Sequence, residues 1–214
     1  MVRFLLFLSL VFWLMPLDSI GQSKGGAKTV IVIDPGHGGT DSGAIGINGI
    51  QEKDMVLKIA KKIIVLNENL LGESYEIYLT RYSDTLISLG DRAKRTRSLH
   101  VDLFVSLHFN HSGNPNAKGV EIYVPRYGEH LQESILMAYL LQKGMKQNIG
   151  LKSRGVKFAN FQVLRETVDY CPTVLVELGF LSNLDEAQHL TEDEKCSRGC
   201  VVASEWFKNR KVKR

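Results

Sequence analysis

The sequence predicts a single α/β domain, and three observations carry that expectation. Apolar, largely β-branched runs occur at Thr29–Ile33, Val101–Phe109 and Thr173–Leu178, the pattern of strands buried on both faces. Between them lie stretches with apolar residues at three- and four-residue steps, the period of amphipathic helices. Turn-forming residues punctuate the ends of the runs.

The first strand, Thr29–Ile33, is stopped by Asp34 and Pro35, and Gly36, Gly38 and Gly39 supply a tight turn. His37 is thereby held just past the carboxyl end of a core strand, the edge where open α/β sheets bind ligands. A phosphate-binding loop is a competing reading, but no Gly-Lys-Ser/Thr follows the glycines. The polar loop Gly38–Gln51 is long enough to wrap a site. Asp54 then N-caps a helix carrying Val56, Ile59, Ile63, Leu66 and Leu70 and ending near Gly72, which puts Glu52 at the helix entrance.

Tyr75–Thr80 alternates as a second strand, and Arg81–Asp84 reads as a turn. Ser88 and Asp91 form an approximate capping box for a helix running to about Leu99. Its Arg92, Lys94, Arg95 and Arg97 read as a solvated face, with one basic residue free to anchor the preceding loop. No aromatic platform accompanies them, so nucleic acid is not an expected partner. Val101–Phe109 delivers His108 at its end. A fourth strand is expected at Lys118–Val124, a long helix at Glu129–Asn148 and a short strand at Phe161–Leu164. The last core strand, Thr173–Leu178, carries Glu177 at the end of an apolar run. A carboxylate there needs a cation, a metal or a hydrogen-bond network. Ser182 with Asp185 caps a short helix, and a final helix spans about Asp193–Lys208.

The chain has 214 residues, 44% hydrophobic and 23% charged, with a net charge of +4: enough for one core, and mildly basic. Residues 1–21 read as a secretory signal peptide, with Arg3, the apolar run Phe4–Leu17 and small Ser19 and Gly21 before a cleavage point. The apolar run is shorter than the roughly 20 residues a spanning helix needs. Export to the periplasm, the cell envelope or the medium is expected, with no membrane attachment after cleavage. Residues 22–28 form a lead-in and 209–214 a basic tail, leaving 29–208 as the one folded domain. Cys171, Cys196 and Cys200 are an odd number, so at least one thiol is unpaired within a monomer. Cys196, Cys200 and His189 lack a fourth ligand nearby and read as helix-face residues.

Four residues thus stand at one predicted edge: His37, Glu52, His108 and Glu177. Two histidines and a carboxylate are a usual ligand set for a hydrolytic zinc that keeps a position open for water. The motifs Val32-Ile-Asp-Pro-Gly-His-Gly-Gly39, Glu52 before a helix, Thr80-Arg81 with Leu89 and Arg92, Phe104-Val-Ser-Leu-His-Phe-Asn110, Gly119-Val-Glu-Ile-Tyr123 and Val174-Leu-Val-Glu-Leu-Gly-Phe-Leu-Ser-Asn183 resemble the zinc-dependent N-acetylmuramoyl-L-alanine amidases of the Amidase_3 family. The resemblance runs in order from about Thr29 to Trp206. It implies a three-layer sandwich, a six-stranded mixed, mostly parallel sheet with helices on both faces. It implies one Zn2+ per chain held by His37, Glu52 and His108, Glu177 as the catalytic carboxylate, and peptidoglycan as substrate.

Two departures stand out. His111 follows the third motif closely and competes with His108 as a ligand. The stretches Gly113–Gly119 and Ile149–Phe158 leave little room for the inserted helix that blocks the zinc in some relatives. A monomer that needs no protein activator is therefore expected. A zinc peptidase cutting within the stem peptide and a non-catalytic wall-binding module are the competing classes.

Overall fold

The computed structural model describes residues 28–191, apart from 48, 72 and 151. The expected signal peptide, most of the lead-in, the helix Asp193–Lys208, the basic tail, and Cys196 and Cys200 lie outside the described residues. Among the described residues no helix is long and apolar enough to cross a membrane.

Six strands form one mixed sheet: β1 (Thr29–Pro35), β2 (Tyr75–Leu79), β3 (Leu103–Asn110), β4 (Val120–Val124), β5 (Ser153–Phe158) and β6 (Thr173–Phe180). Their spatial order is β2-β1-β3-β6-β4-β5. All neighbouring pairs are parallel except β4 with β6. The helices are α1 (Glu52–Leu71), α2 (Leu89–Ser98), α3 (Leu131–Ile149), α4 (Gln162–Thr167) and α5 (Leu184–Thr191).

Side-chain alternation divides the core in two. On one face Ile31, Ile33, Leu107, Ile122, Val174 and Val176 pack with Met55, Val56, Ile59 and Ile63 of α1 and Met137, Leu141 and Met145 of α3. On the other, Val32, Phe104 and Leu175 pack with Val163 and Leu164 of α4, while α2 packs beside α4. This second face has a smaller apolar cluster, and its upper row is polar: Asp34 pairs with Ser106, and His108 pairs with Glu177.

Several local expectations are corrected. Phe161–Leu164 is not a strand: Val163, Leu164 and Thr167 are buried along one side of the helix α4, and a short apolar run cannot be told from a buried helix segment by period alone. The sixth strand is β5, an edge strand whose Ser-Arg-Gly-Val-Lys-Phe sequence has no fully buried residue. Asp34 and Pro35 do not stop the first strand, because β1 continues through both. The first helix begins at Glu52, so Asp54 lies inside its first turn. At α5 the side chain of Asn183, not Ser182, caps, accepting from the Glu186 amide at 3.0 Å. The capping box at Ser88 is present: its hydroxyl accepts from the Asp91 amide at 3.1 Å.

Candidate metal centre

The turn after β1 is fixed by two buried arginines, each 2% exposed. Arg81 donates from Nε to the Pro35 carbonyl (3.0 Å) and from Nη2 to the Gly36 carbonyl (2.8 Å). Arg92 donates to the Pro35 and His37 carbonyls, each at 2.7 Å. It also pairs with Asp34 at 2.7 Å, whose carboxylate accepts further from Thr80 and Ser106. Three successive carbonyls, from the last residue of β1 into the turn, are thereby satisfied, which backbone acceptors out of water require. The clamp holds His37 in the left-handed region at φ 57, a conformation other residues reach only when their surroundings enforce it. Gly36 is required by close approach, since a Cβ there would overlap the His108 ring.

In the sequence Arg81 reads only as part of a turn, and one unspecified basic residue of α2 reads as the anchor of the preceding loop. That residue is Arg92. Charged side chains read as solvent-facing by default. For Arg92 the signal was spacing: it lies four residues after the N-cap Ser88, on the side of α2 that buries Ala93 and Thr96.

Glu52, at the start of α1, turns its carboxylate across the sheet edge. Its Oε1 lies 3.0 Å from His37 Nε2 and 2.9 Å from His108 Nδ1, and accepts from the Phe109 amide at 2.9 Å. Its Oε2 accepts from the Ala44 amide at 2.8 Å. Gly43, at φ 63, lies so close that a Cβ would meet both Glu52 and His37. The two imidazole rings stand edge to face, 4.9 Å between centroids. The other nitrogen of His37, Nδ1, is 2.8 Å from Asp41 Oδ2. A carboxylate there fixes the ring's orientation and leaves Nε2 to face Glu52.

One ligand atom from each of His37, Glu52 and His108 lies within 4.8 Å of the others, so the three could hold a metal ion. The donor set fits: two nitrogens converge on one carboxylate oxygen, and Asp41 backs the first. Electrostatics agree. Burial opposes charge on His37, but the Glu52 and Asp41 carboxylates outweigh it and raise its pKa to about 9. Burial likewise opposes ionisation of Glu52, yet the two imidazoles and the Ala44 amide bring it down to about 2. The site is thus built to concentrate a positive charge beside an ionised carboxylate. His111 is exposed and is not in this group.

Glu177 completes the row. It pairs with His108 across β3–β6 and with Glu121 across β6–β4. Burial pushes its carboxyl up to about 7, with Glu52 and Glu121 reinforcing the rise and His108 and His37 opposing it. Its Oε2 is buried without a hydrogen-bond partner. All four residues singled out in the sequence therefore lie at one edge of the sheet. Three converge, and the fourth stands beside them with an open acceptor.

Residues 31–198 match the family model Amidase_3, N-acetylmuramoyl-L-alanine amidase. Over 172 residues the chain is 41% identical to an endolysin of Bacillus phage SPP1, an alignment covering 77% of this chain and 59% of that protein. Over 164 residues it is 38% identical to the N-acetylmuramoyl-L-alanine amidase LytC of Bacillus subtilis (strain 168), covering 76% of this chain and 31% of the relative. The chain thus spans less than two thirds of the length of either. Its structure superposes with a TM-score of 0.74 on the catalytic domain of CwlV, an N-acetylmuramoyl-L-alanine amidase from Bacillus (Paenibacillus) polymyxa var. colistinus. That match is 36% identical and covers 86% of this chain and 99% of the other.

Proposed function

The chain belongs to the Amidase_3 family of N-acetylmuramoyl-L-alanine amidases, and on that premise we propose that it hydrolyses the amide joining N-acetylmuramic acid to L-alanine of the peptidoglycan stem peptide. The observation that carries the reading is the partnerless Glu177 Oε2 in the same row as the His37, Glu52 and His108 cluster. A buried acceptor left open is costly unless a ligand or a proton uses it.

His37, Glu52 and His108 would hold one zinc ion. When bound there, zinc supplies a Lewis acid for the amide carbonyl and lowers the pKa of water to about 7. Glu177 does the proton work. As carboxylate it takes the proton of the attacking water, and as acid it returns that proton to the departing nitrogen of L-alanine, which leaves as a free amine. In the metal-free protein burial raises the Glu177 carboxyl to about 7, the direction that a group which both accepts and releases a proton at neutral pH requires. Glu52 stays ionised throughout, so it serves as a fixed ligand and not as a second base. Arg81 and Arg92 hold His37 in place through the turn carbonyls.

The histidine side chains are 23% and 20% exposed, which supports a site that substrate reaches without an activator protein. The protein acts as a monomer, exported by residues 1–21 and working on the cell wall. Digestion of purified peptidoglycan with mass analysis of the soluble products tests this reading. Intact stem peptides with free L-alanine amino ends are expected, lost on chelation and restored by zinc. Cuts inside the stem peptide would replace it with a peptidase.

A further inference from the structure

The polar row does not end at Glu177. Glu121, its partner on β4, is 3% exposed and takes no part in the chemistry above. Its Oε1 accepts from Arg154 Nε and from Lys157 Nζ, the latter at 2.8 Å. Its Oε2 accepts from the Tyr123 hydroxyl at 2.7 Å and from Asn110 Nδ2 at 3.2 Å. Four donors fill this carboxylate, so it has no capacity left to bind an ion or accept a proton. What it does is fix two cations.

Those cations outnumber Glu121, leaving one positive charge in surplus whenever Glu177 beside it is protonated. Both remain partly open, with side chains 34% and 41% exposed. Residues three apart on a regular strand point to opposite faces. The register irregularity between Val120 and Ile122 in the β4–β5 ladder removes that constraint and lets Arg154 and Lys157 reach the same carboxylate. Arg154 is further held over the Phe180 ring at 5.0 Å. Lys157 lies 5.9 Å from the centroid of Tyr123, which packs against Phe161. The arrangement is a fixed, solvent-facing cationic platform at the β5 end of the row His108, Glu177, Glu121.

We propose that Arg154 and Lys157 form a subsite for a carboxylate of the stem peptide, beside the amide that Glu177 serves. The proposal rests on the amidase reading and adds the side of the substrate that is recognised. In that substrate the N-acetylated sugars are neutral, and the lactyl carboxyl is consumed in the amide. The free carboxylates belong to the peptide. A surplus cation beyond Glu177 therefore reads the peptide, which extends towards β5, and a charge-assisted contact of this kind contributes about tenfold in affinity.

The test compares one muramoyl peptide with its carboxylates free and the same peptide with all of them converted to carboxamides. Both are titrated by calorimetry into zinc-supplied Glu177→Gln protein, and into that protein carrying Lys157→Gln as well. The free-carboxylate peptide should bind about tenfold tighter, the ratio should fall to about twofold or less with Lys157→Gln, and Lys157→Arg should restore it. In the active protein Lys157→Gln should raise KM for the free-carboxylate peptide with kcat changed by less than about threefold. Equal binding of the two peptides, or a ratio that Lys157→Gln leaves unmoved, overturns the subsite. Failure of the wild-type protein to cleave either peptide would overturn the amidase reading, and the binding ratio would still decide the subsite.

Discussion

His108 and Glu177 occupy paired positions on adjacent parallel strands, β3 and β6, and point to the same face of the sheet. The pairing places a ligand-type nitrogen and a partnerless carboxyl oxygen side by side without any loop between them. Their separation is therefore set by strand spacing.

Asp41 is expected to act through His37. Replacing it by Asn or Ala removes the 2.8 Å contact to Nδ1 and frees the ring to rotate. Zinc affinity should fall by about tenfold to a hundredfold, measured by competition with a chromophoric chelator, with kcat of the zinc-saturated protein falling less.

Metal binding should be coupled to pH through His37. A ligand imidazole must be neutral, whereas the metal-free ring holds its proton up to about pH 9. Apparent zinc affinity should rise by up to about tenfold per pH unit below that value, with proton release visible as a buffer-dependent heat. Without metal the sign reverses for folding: the raised pKa stabilises the fold below pH 6.5, and that contribution is lost as pH rises through about 9.

Arg92→Leu should leave the Asp34 carboxylate buried without its cation, retaining only Thr80 and Ser106. The expected cost is about 3–5 kcal/mol, read as a lower urea midpoint. Arg92→Lys should recover part of it, because one ammonium cannot reproduce a fork that serves Asp34, Pro35 and His37 together.

Glu177→Gln should stabilise the metal-free protein. Raising the carboxyl from 4.5 to about 7 means the folded state resists its ionisation, so the wild type loses stability as pH rises through that window. At about pH 8 the variant should be more stable by on the order of 2–3 kcal/mol, and near pH 4 the difference should vanish. Urea titrations at the two pH values check both halves.

What was legible in the sequence follows from burial. Strands β1, β3 and β6 are buried on most positions, so they announce themselves as unbroken apolar runs, and a histidine or glutamate ending such a run is conspicuous. That is why His37, His108 and Glu177 could be found. Glu52 was found by its place before a helical period. Strand β5 was missed because it is an edge strand with solvent on one flank and no buried position. The roles of Arg81 and Glu121 were missed for a different reason: besides the nearby Ser83 carbonyl, Arg81 reaches carbonyls 28 to 46 residues away, and the donors to Glu121 lie on three different strands. Nothing local in a sequence marks a charged residue as buried when its partners are assembled only by the sheet.

The most direct measurement is the turnover of Glu177→Gln beside its zinc content. The amide side chain keeps the shape and cannot take a proton from water. A protein that binds one zinc per chain as the wild type does, yet releases stem peptides at least about a hundredfold more slowly, is the result expected. Wild-type turnover with zinc bound would contradict the assignment of Glu177 as the base, and loss of zinc together with activity would move Glu177 into the ligand set.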